Sequence, residues 1–322
     1  MLVKEIRNEL NKYDRKDLED IIIELYKRVP KKVKDAYYID DFIKNKKNIC
    51  KKEEKKLSFV ELVDEIKWFL SCVDADYYCT SNNVITKDER SKWRFKVKKY
   101  YKELVNINAN TDDGKLSTEL LIELFKRLSC GTYILKFSNW DTFRAIGISQ
   151  ADLYLTIIKR VLSRGHSFEN IYTCIDLLSV FKDSYSSNHE MYDVFINIVD
   201  DIDDINMGIE AIYNKNINLE KEAKECKNST TKYYIEESIR LNAYVIFNLY
   251  LKKNEADKAV SEFNKIYIEK DREIKAYILL NLLKDHELYK EFIAQYEKNI
   301  GKIDYRESLI EDYKNIKKQM KL

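Results

Sequence analysis

Hydrophobic residues recur along most of this chain at the spacing of a helix face. Leu18, Ile21 and Leu25 follow one another at intervals of three and four residues, and a longer run of the same kind begins at Phe59. Residues at these intervals share one face of an α-helix, which can pack against a neighbour. Alternation of apolar and polar residues over six or more positions, the pattern of a half-buried strand, is hard to find. The pattern therefore predicts an all-α protein.

Capping residues mark where several of these helices begin. Asp14, Thr86, Ser149 and Asp304 are each followed three residues later by Asp or Glu. Their side-chain oxygens can accept a hydrogen bond from a free backbone N–H of the first helical turn. We interpret Ser117 as a further cap, after a polar loop. The predicted helices lie near residues 2–12, 15–28, 32–47, 57–79, 87–107, 117–136, 149–164, 167–182, 188–202, 204–214, 217–253 with a break near Asn228–Thr231, 255–269, 271–283, 285–299 and 303–320.

Short loops between the predicted helices make successive helices antiparallel neighbours. We therefore expect an elongated α-solenoid, a right-handed array of antiparallel helix pairs. Residues 1–50 are predicted to form an N-terminal helical module or cap, and residues 57–322 the helical-repeat array. The nearly all-charged segment 44–56 is a linker or a solvated helix end, and the polar segments 106–114 and 183–189 are candidate joints.

The C-terminal third of the sequence repeats itself, since residues 241–263 align with residues 274–296. The alignment pairs Leu241, Tyr244, Phe247, Tyr250, Ala259, Val260 and Phe263 with Ile274, Tyr277, Leu280, Leu283, Phe292, Ile293 and Tyr296. A helix pair that recurs every ~33–34 residues cannot bury its apolar face alone, so it stacks on the next pair. The repeat predicts stacked helix pairs in this region.

The segment 244–266 resembles a tetratricopeptide (TPR) repeat, and the resemblance covers about residues 240–300. Ile246 and Tyr250 fall where the first helix of that family carries large apolar and aromatic residues. Ala259 and Phe263 match the Ala-x3-Phe spacing of its second helix. The resemblance implies helix-pair stacking with a concave face, and it implies no particular ligand residues.

The repeat leads to our first functional prediction, a non-enzymatic scaffold that binds a protein or peptide partner in a groove of the stacked helices. The predicted groove residues lie on the first helices of two pairs. They are Tyr244, Asn248, Tyr277 and Asn281. No Ser/His/Asp or Cys/His arrangement can be assembled from the sequence spacing.

The amino-acid composition disfavours several classes of fold and binding site. The 322 residues contain one Pro and six Gly, whereas average usage is about 5% Pro and 7% Gly. Turn-rich sandwiches and barrels are therefore disfavoured, and no Gly-rich phosphate loop can be built. Hydrophobic residues make up 45% of the chain, which is enough to build a core and disfavours disorder. We expect no nucleotide or other cofactor.

Cysteine usage and charge predict the cellular compartment of the protein. The six Cys are scattered singly and only three His are present, so we expect reduced thiols and no metal site. The segment 1–20 is charged throughout, which predicts no secretory signal. The longest stretch without a charge that we find, Leu241–Leu251, is far shorter than the ~20 residues of a membrane span. We expect a cytoplasmic protein without a membrane partner.

A second functional prediction is nucleic-acid binding by the basic first third. Residues 1–105 carry 26 basic and 20 acidic side chains, a net charge of +6. On a helix, Trp93, Val97, Tyr100 and Leu104 would form one core-facing stripe flanked by bases. The candidate phosphate-binding residues are Arg94, Lys96, Lys98, Lys99 and Lys102. The alternative is that these bases form a solvated helix face.

A third prediction is an enzyme. Arg160 and His166 have the Arg-x5-His spacing that resembles the motif of the HEPN ribonuclease families. The resemblance implies that the two residues act on an RNA phosphate at a helix end. A His can move a proton near neutral pH, and an Arg can stabilise developing phosphate charge. The alternative is a helix that ends near Gly165, with His166 in the following loop.

Overall fold

The computed structural model describes residues 3–36, 39–44, 58–134, 136–139, 141–179 and 190–320. The candidate joint 183–189 and nearly all of the charged segment 44–56 lie outside these ranges. Throughout the described ranges the regular structure is helical, and there is no strand beyond an isolated bridge between Ile300 and Ile303. The all-α prediction is confirmed.

The chain divides into two compact units, residues 1–58 and residues 59–322. The helices of the first unit are α1 (Val3–Leu10), α2 (Arg15–Arg28), α3 (Lys31–Ala36) and α4 (Ile39–Lys44). Asp14 caps α2 as predicted, accepting from the backbone N of Asp17 at 2.9 Å. The Tyr26 hydroxyl donates to Asp40 at 2.6 Å, which links α2 to α4. The helix predicted over 32–47 corresponds to two short helices, α3 and α4.

The second unit carries the larger core. Its helices are α5 (Phe59–Asp74), α6 (Lys87–Ser91), α7 (Trp93–Val105), α8 (Asp112–Ile134), α9 (Thr142–Ile146), α10 (Gln150–Leu162), α11 (Phe168–Leu178), α12 (Glu190–Ile198), α13 (Ile202–Glu225), α14 (Ser229–Lys252), α15 (Ala256–Ile266), α16 (Arg272–Asp285), α17 (Tyr289–Lys298) and α18 (Glu307–Gln319). Contacts join helices close in sequence: α5, α7 and α10 pack on α8, α13 on α11 and α14, and α14 on α15. The predicted stripe residues Trp93, Val97, Tyr100 and Leu104 are buried.

The predicted helix starts at Asp14, Thr86 and Ser149 are correct, and those at Ser117 and Asp304 are wrong. Thr86 and Ser149 cap α6 and α10 through the backbone N–H groups three residues on. The predicted start at Ser117 is wrong because the helix begins five residues earlier. There Thr111 accepts from the backbone N of Gly114 at 3.0 Å, and the Ser117 hydroxyl donates back to the Gly114 carbonyl.

The predicted start at Asp304 is also wrong. Helix α18 begins at Glu307, and its cap residue, Arg306, makes no side-chain capping hydrogen bond. The predicted helix over 87–107 is divided at Lys92 into α6 and α7. The residue at which a helix begins or ends depends on local hydrogen bonds that compete closely with one another. The spacing of apolar residues carries no information about those bonds.

The division predicted between 214 and 217 is wrong, whereas the one near Asn228 is confirmed. Helix α13 runs through both positions to Glu225, because the polar Asn216 is buried and has a partner. Asn242 on α14 donates to the Asn216 side chain at 2.7 Å. Asn228 caps α14 by accepting from the backbone N of Thr231 at 3.0 Å.

The helix pairs α14–α15 and α16–α17 follow one another along the chain. In each pair the two helices are connected by the same kind of turn. Asn254 and Glu287 both have a φ of 57°. The backbone N of Glu255 donates to Tyr250 O at 3.0 Å, and at the aligned position Leu288 donates to Leu283 O at 2.9 Å. The repeat seen in the sequence is therefore also a repeat of backbone geometry at this turn. The TPR-like array remains a prediction.

Candidate functional site

A cavity of about 510 Å³ opens between α14, α15 and α16, and we call it the α14–α16 groove. It is lined by Glu237, Arg240, Leu241, Tyr244, Phe263, Tyr267, Tyr277, Ile278, Asn281, Leu282, Asp285 and His286. Its volume falls within the ~300–1,000 Å³ that is typical of ligand sites. Apolar and aromatic side chains form most of the lining, with a few polar groups between them.

Three of the four predicted groove residues line this groove: Tyr244, Tyr277 and Asn281. Asn248 is not part of the lining. Its amide Nδ2 donates to the Tyr244 carbonyl, four residues back, at 2.9 Å. Three of the residues selected from the sequence repeat thus share one cavity, and the fourth, Asn248, lies outside its lining.

Asn281 makes the same bond one repeat later, since its Nδ2 donates to the Tyr277 carbonyl at 2.9 Å. Unlike Asn248, Asn281 is only half-buried and lines the groove. Within the described ranges its Oδ1 receives no hydrogen bond. A carboxamide oxygen held in this way can accept from a backbone N–H of a bound chain.

The aromatic walls of the groove are held in place by hydrogen bonding and stacking. The Tyr244 hydroxyl donates to Asp193 on α12 at 2.8 Å. Burial, together with the Asp193 carboxylate, raises the pKa of Tyr244, so the phenol stays neutral at physiological pH. Tyr267 stacks on Phe263 with ring centroids 4.8 Å apart. These rings form a surface whose shape is set before any ligand arrives.

One negative charge in the groove lining has no counter-ion. Glu237 is paired with Arg240 at 3.1 Å. Partial burial lowers the pKa of His286, so its imidazole is neutral at pH 7. Among the described residues no cation lies within ion-pairing distance of Asp285. The groove therefore favours a cationic group at this end.

Sequence reasoning missed Glu237, Arg240, Tyr267, Asp285 and His286. Asp285 aligns with Lys252 when the repeat is extended, so the repeat gave no reason to select it. The other four lie outside the aligned hydrophobic positions. Only the three-dimensional packing of α16 beside α14 brings these side chains to one cavity.

The five predicted phosphate-binding residues fall into two sets. Arg94, Lys98 and Lys102 are exposed and spaced by four residues on α7. Lys96 and Lys99 turn toward the neighbouring segments instead: Lys96 Nζ donates to the Tyr78 hydroxyl at 3.3 Å, and Lys99 pairs with Glu65 at 3.2 Å.

Arg160 is buried. Its guanidinium binds the segment where α7 ends and α8 begins, which includes one of the predicted candidate joints. It donates to Thr118 Oγ1 at 3.1 Å, to the carbonyls of Val105, Ile107 and Gly114 at 3.2, 2.9 and 3.4 Å, and to Ser117 Oγ at 2.5 Å. A guanidinium has five N–H donors, and all five are engaged. Desolvation lowers the pKa of Arg160, and this geometry leaves no N–H for a substrate phosphate.

His166 lies in the loop before α11, as predicted, and has a different partner. Its Nδ1 is hydrogen-bonded to the buried carboxylate of Asp204 at the start of α13. The imidazole is about half exposed. Arg160 and His166 thus bind separate segments, and the contacts of one do not involve the other.

Within the described ranges, no group of three or more His, Cys, Asp or Glu is placed to hold a metal ion. No helix in those ranges has both the length and the apolar character that a membrane crossing needs.

Comparison of the chain with protein-family models, with curated proteins and with solved structures gives no match.

Proposed function

We propose that this chain is a non-enzymatic cytoplasmic scaffold of stacked, TPR-like helix pairs, whose α14–α16 groove binds a peptide segment of a partner protein. The segment that fits it presents an aliphatic side chain next to a Lys or Arg. The observation that carries the proposal is the meeting of Tyr244, Tyr277 and Asn281, from two successive repeats, in one cavity of about 510 Å³.

The apolar part of the lining supports an aliphatic anchor. Leu241, Ile278 and Leu282 face the groove beside the Phe263 and Tyr267 rings. Full burial of one Leu or Ile side chain contributes about 1.5–3 kcal/mol relative to exposure. Because hydrogen bonds and stacking hold the aromatic walls in place, little of this free energy is spent on ordering the groove.

The polar part of the lining supports an extended peptide with a basic residue. The Asn281 Oδ1 offers an acceptor for a peptide N–H, and the Asp285 carboxylate offers a counter-ion for Lys or Arg. A partner with an acidic residue at that point would face repulsion from Asp285. The groove therefore discriminates by charge as well as by shape.

Selection from a random peptide library tests the proposal. Purified protein is used to enrich peptides, and their Kd is measured by fluorescence anisotropy on the parent protein and on Tyr277→Ser. We expect enriched peptides with an aliphatic–basic pair and a Kd at least about tenfold weaker on Tyr277→Ser, the loss of about 1.4 kcal/mol. Tyr172→Ser is the matched control, since Tyr172 is a half-buried tyrosine on α11. Equal loss on both variants, or no enrichment, would contradict the proposal.

A further inference from the structure

A second cavity of about 380 Å³ lies at the junction of α6 and α7, away from the groove residues. Its lining includes three cations, Lys87, Arg90 and Arg94, and no carboxylate. Glu89, the acidic residue next to Arg90, is already paired with Lys92 at 2.6 Å. Among the described residues no carboxylate comes within ion-pairing distance of Lys87 or Arg94. The lining thus brings together three cations that have no carboxylate partner within the described ranges.

Arg90 is fixed in the wall of this cavity by neutral acceptors. Its Nη1 donates to the carbonyls of Cys79, at 3.1 Å, and Thr80. Its Nε is buried and has no hydrogen-bond acceptor within the described part of the chain. A buried donor without a partner is costly, and an anion at this guanidinium would offset part of that cost. The Arg90 guanidinium therefore has unused hydrogen-bonding capacity.

The neutral part of the lining is also held in position. Trp93 is buried, and its Nε1 donates to Ser138 Oγ at 3.2 Å, while the Ser138 hydroxyl donates to the Arg90 carbonyl at 3.4 Å. The Asn139 Oδ1 accepts from the backbone N of Asp141 at 3.0 Å, which leaves the Nδ2 of Asn139 as a donor. The two segments that form the cavity are thereby tied together, and its donors are preorganised.

We propose that this basic cavity binds the phosphoryl group of a small anionic ligand. A phosphoryl group carries a charge of about −1.5 to −2 and several acceptor oxygens, which match three cations and the Asn139 amide. Guanidinium groups pair with phosphate oxygens with high geometric specificity. The volume is near the lower end of the ~300–1,000 Å³ of ligand sites, so one or two phosphoryl groups with a small organic part fit. Trp93 is 1% exposed and offers no face for a nucleobase to stack on.

Isothermal titration calorimetry with inorganic pyrophosphate and inorganic phosphate tests the site. The parent protein is compared with Lys87→Gln/Arg94→Gln, which removes two cavity cations. Lys98→Gln/Lys102→Gln is the matched control, because it removes two exposed charges of α7 that do not line the cavity. We expect pyrophosphate to bind the parent protein, with a Kd at least about tenfold weaker on the cavity variant and nearly unchanged on the control.

Three results would overturn the proposal. One is no heat of binding with either anion at millimolar concentration and low salt. Another is equal weakening in both double variants, which would indicate a general charge effect. The third is tight binding of a short single-stranded RNA that pyrophosphate does not displace, which would indicate a nucleic-acid surface instead. Circular dichroism of each variant confirms that the helical fold is retained, so that lost binding reports on the site.

Discussion

Asn254 and Glu287 occupy aligned positions of the sequence repeat and share the same left-handed backbone conformation, each with a φ of 57°. Each residue stands in the turn between the two helices of a pair. The residue that follows each, Glu255 or Leu288, donates its N–H to a carbonyl five residues back. The turn requires this conformation in both pairs, although the residue types differ. Asn adopts a positive φ at low cost, whereas Glu does so at a cost of about 1–2 kcal/mol.

Replacing Glu287 with Gly should therefore stabilise the protein, by about 0.5–1 kcal/mol. Gly adopts a positive φ without the steric cost, and within the described part of the chain Glu287 makes no salt bridge that would be lost. Urea unfolding followed by circular dichroism measures the change. Lys314→Gly, at an exposed position inside α18, is the control and should destabilise by about 1 kcal/mol. Destabilisation by Glu287→Gly would show that the turn does not hold this conformation.

Arg160→Met should destabilise the protein by about 3 kcal/mol, because it removes the buried bonds to Ser117 and Thr118 and leaves the partly buried carbonyls of Val105 and Ile107 without this donor. Arg164→Met, at an exposed position in the same segment, should change stability by less than about 0.5 kcal/mol. Thermal and urea unfolding of both variants measure the difference. A catalytic role alone would leave Arg160→Met as stable as the parent protein, and that result would revive the ribonuclease interpretation.

Stability should fall steeply in alkaline solution because buried acids must stay protonated. Burial raises the pKa of the Cys174 thiol from 9.0 to about 12, and the pKa of Tyr154 is also raised by burial. The Tyr154 hydroxyl donates to the Cys174 carbonyl at 3.0 Å, so both groups belong to one buried cluster. A pKa that is higher in the folded state contributes stability that is complete below the unfolded pKa. That contribution is lost as the pH rises toward the folded pKa.

Urea unfolding at a series of pH values tests this expectation. Between pH 9 and 12 each such group should lower the free energy of unfolding by up to about 1.4 kcal/mol per pH unit. At pH 8 the Cys174 thiol should resist alkylation in the folded protein and react once the protein is unfolded in urea, as mass spectrometry would show. A free energy of unfolding that stays constant up to pH 11 would contradict the burial of these groups.

The apolar pattern predicts most of the longer helices and the buried face of α7, because both depend on residues three and four positions apart. It could not predict that α13 continues through Asn216, since the partner, Asn242, lies 26 residues further on. It could not predict the role of Arg160 either, because the acceptors of that guanidinium lie 42 to 55 residues away.

Some residues of the candidate groove could be predicted from the sequence repeat, whereas others depend on how distant helices pack. The sequence repeat predicted Tyr244, Asn248, Tyr277 and Asn281 as groove residues, and all of these except Asn248 line the cavity. Asp285, the groove carboxylate with no cation within ion-pairing distance among the described residues, aligns with Lys252 in the preceding repeat. It becomes part of a site only when α16 packs beside the other groove helices.

A charge-exchange cycle on the α14–α16 groove tests the central claim most directly. The parent protein and Asp285→Lys are each titrated with an aliphatic–basic peptide from the library selection and with the same peptide carrying Glu in place of its basic residue. We predict that Asp285→Lys weakens the basic peptide and strengthens the acidic one, with a coupling free energy of about 1 kcal/mol or more. A coupling free energy of zero, with both peptides bound equally by both proteins, would contradict recognition of the partner in this groove.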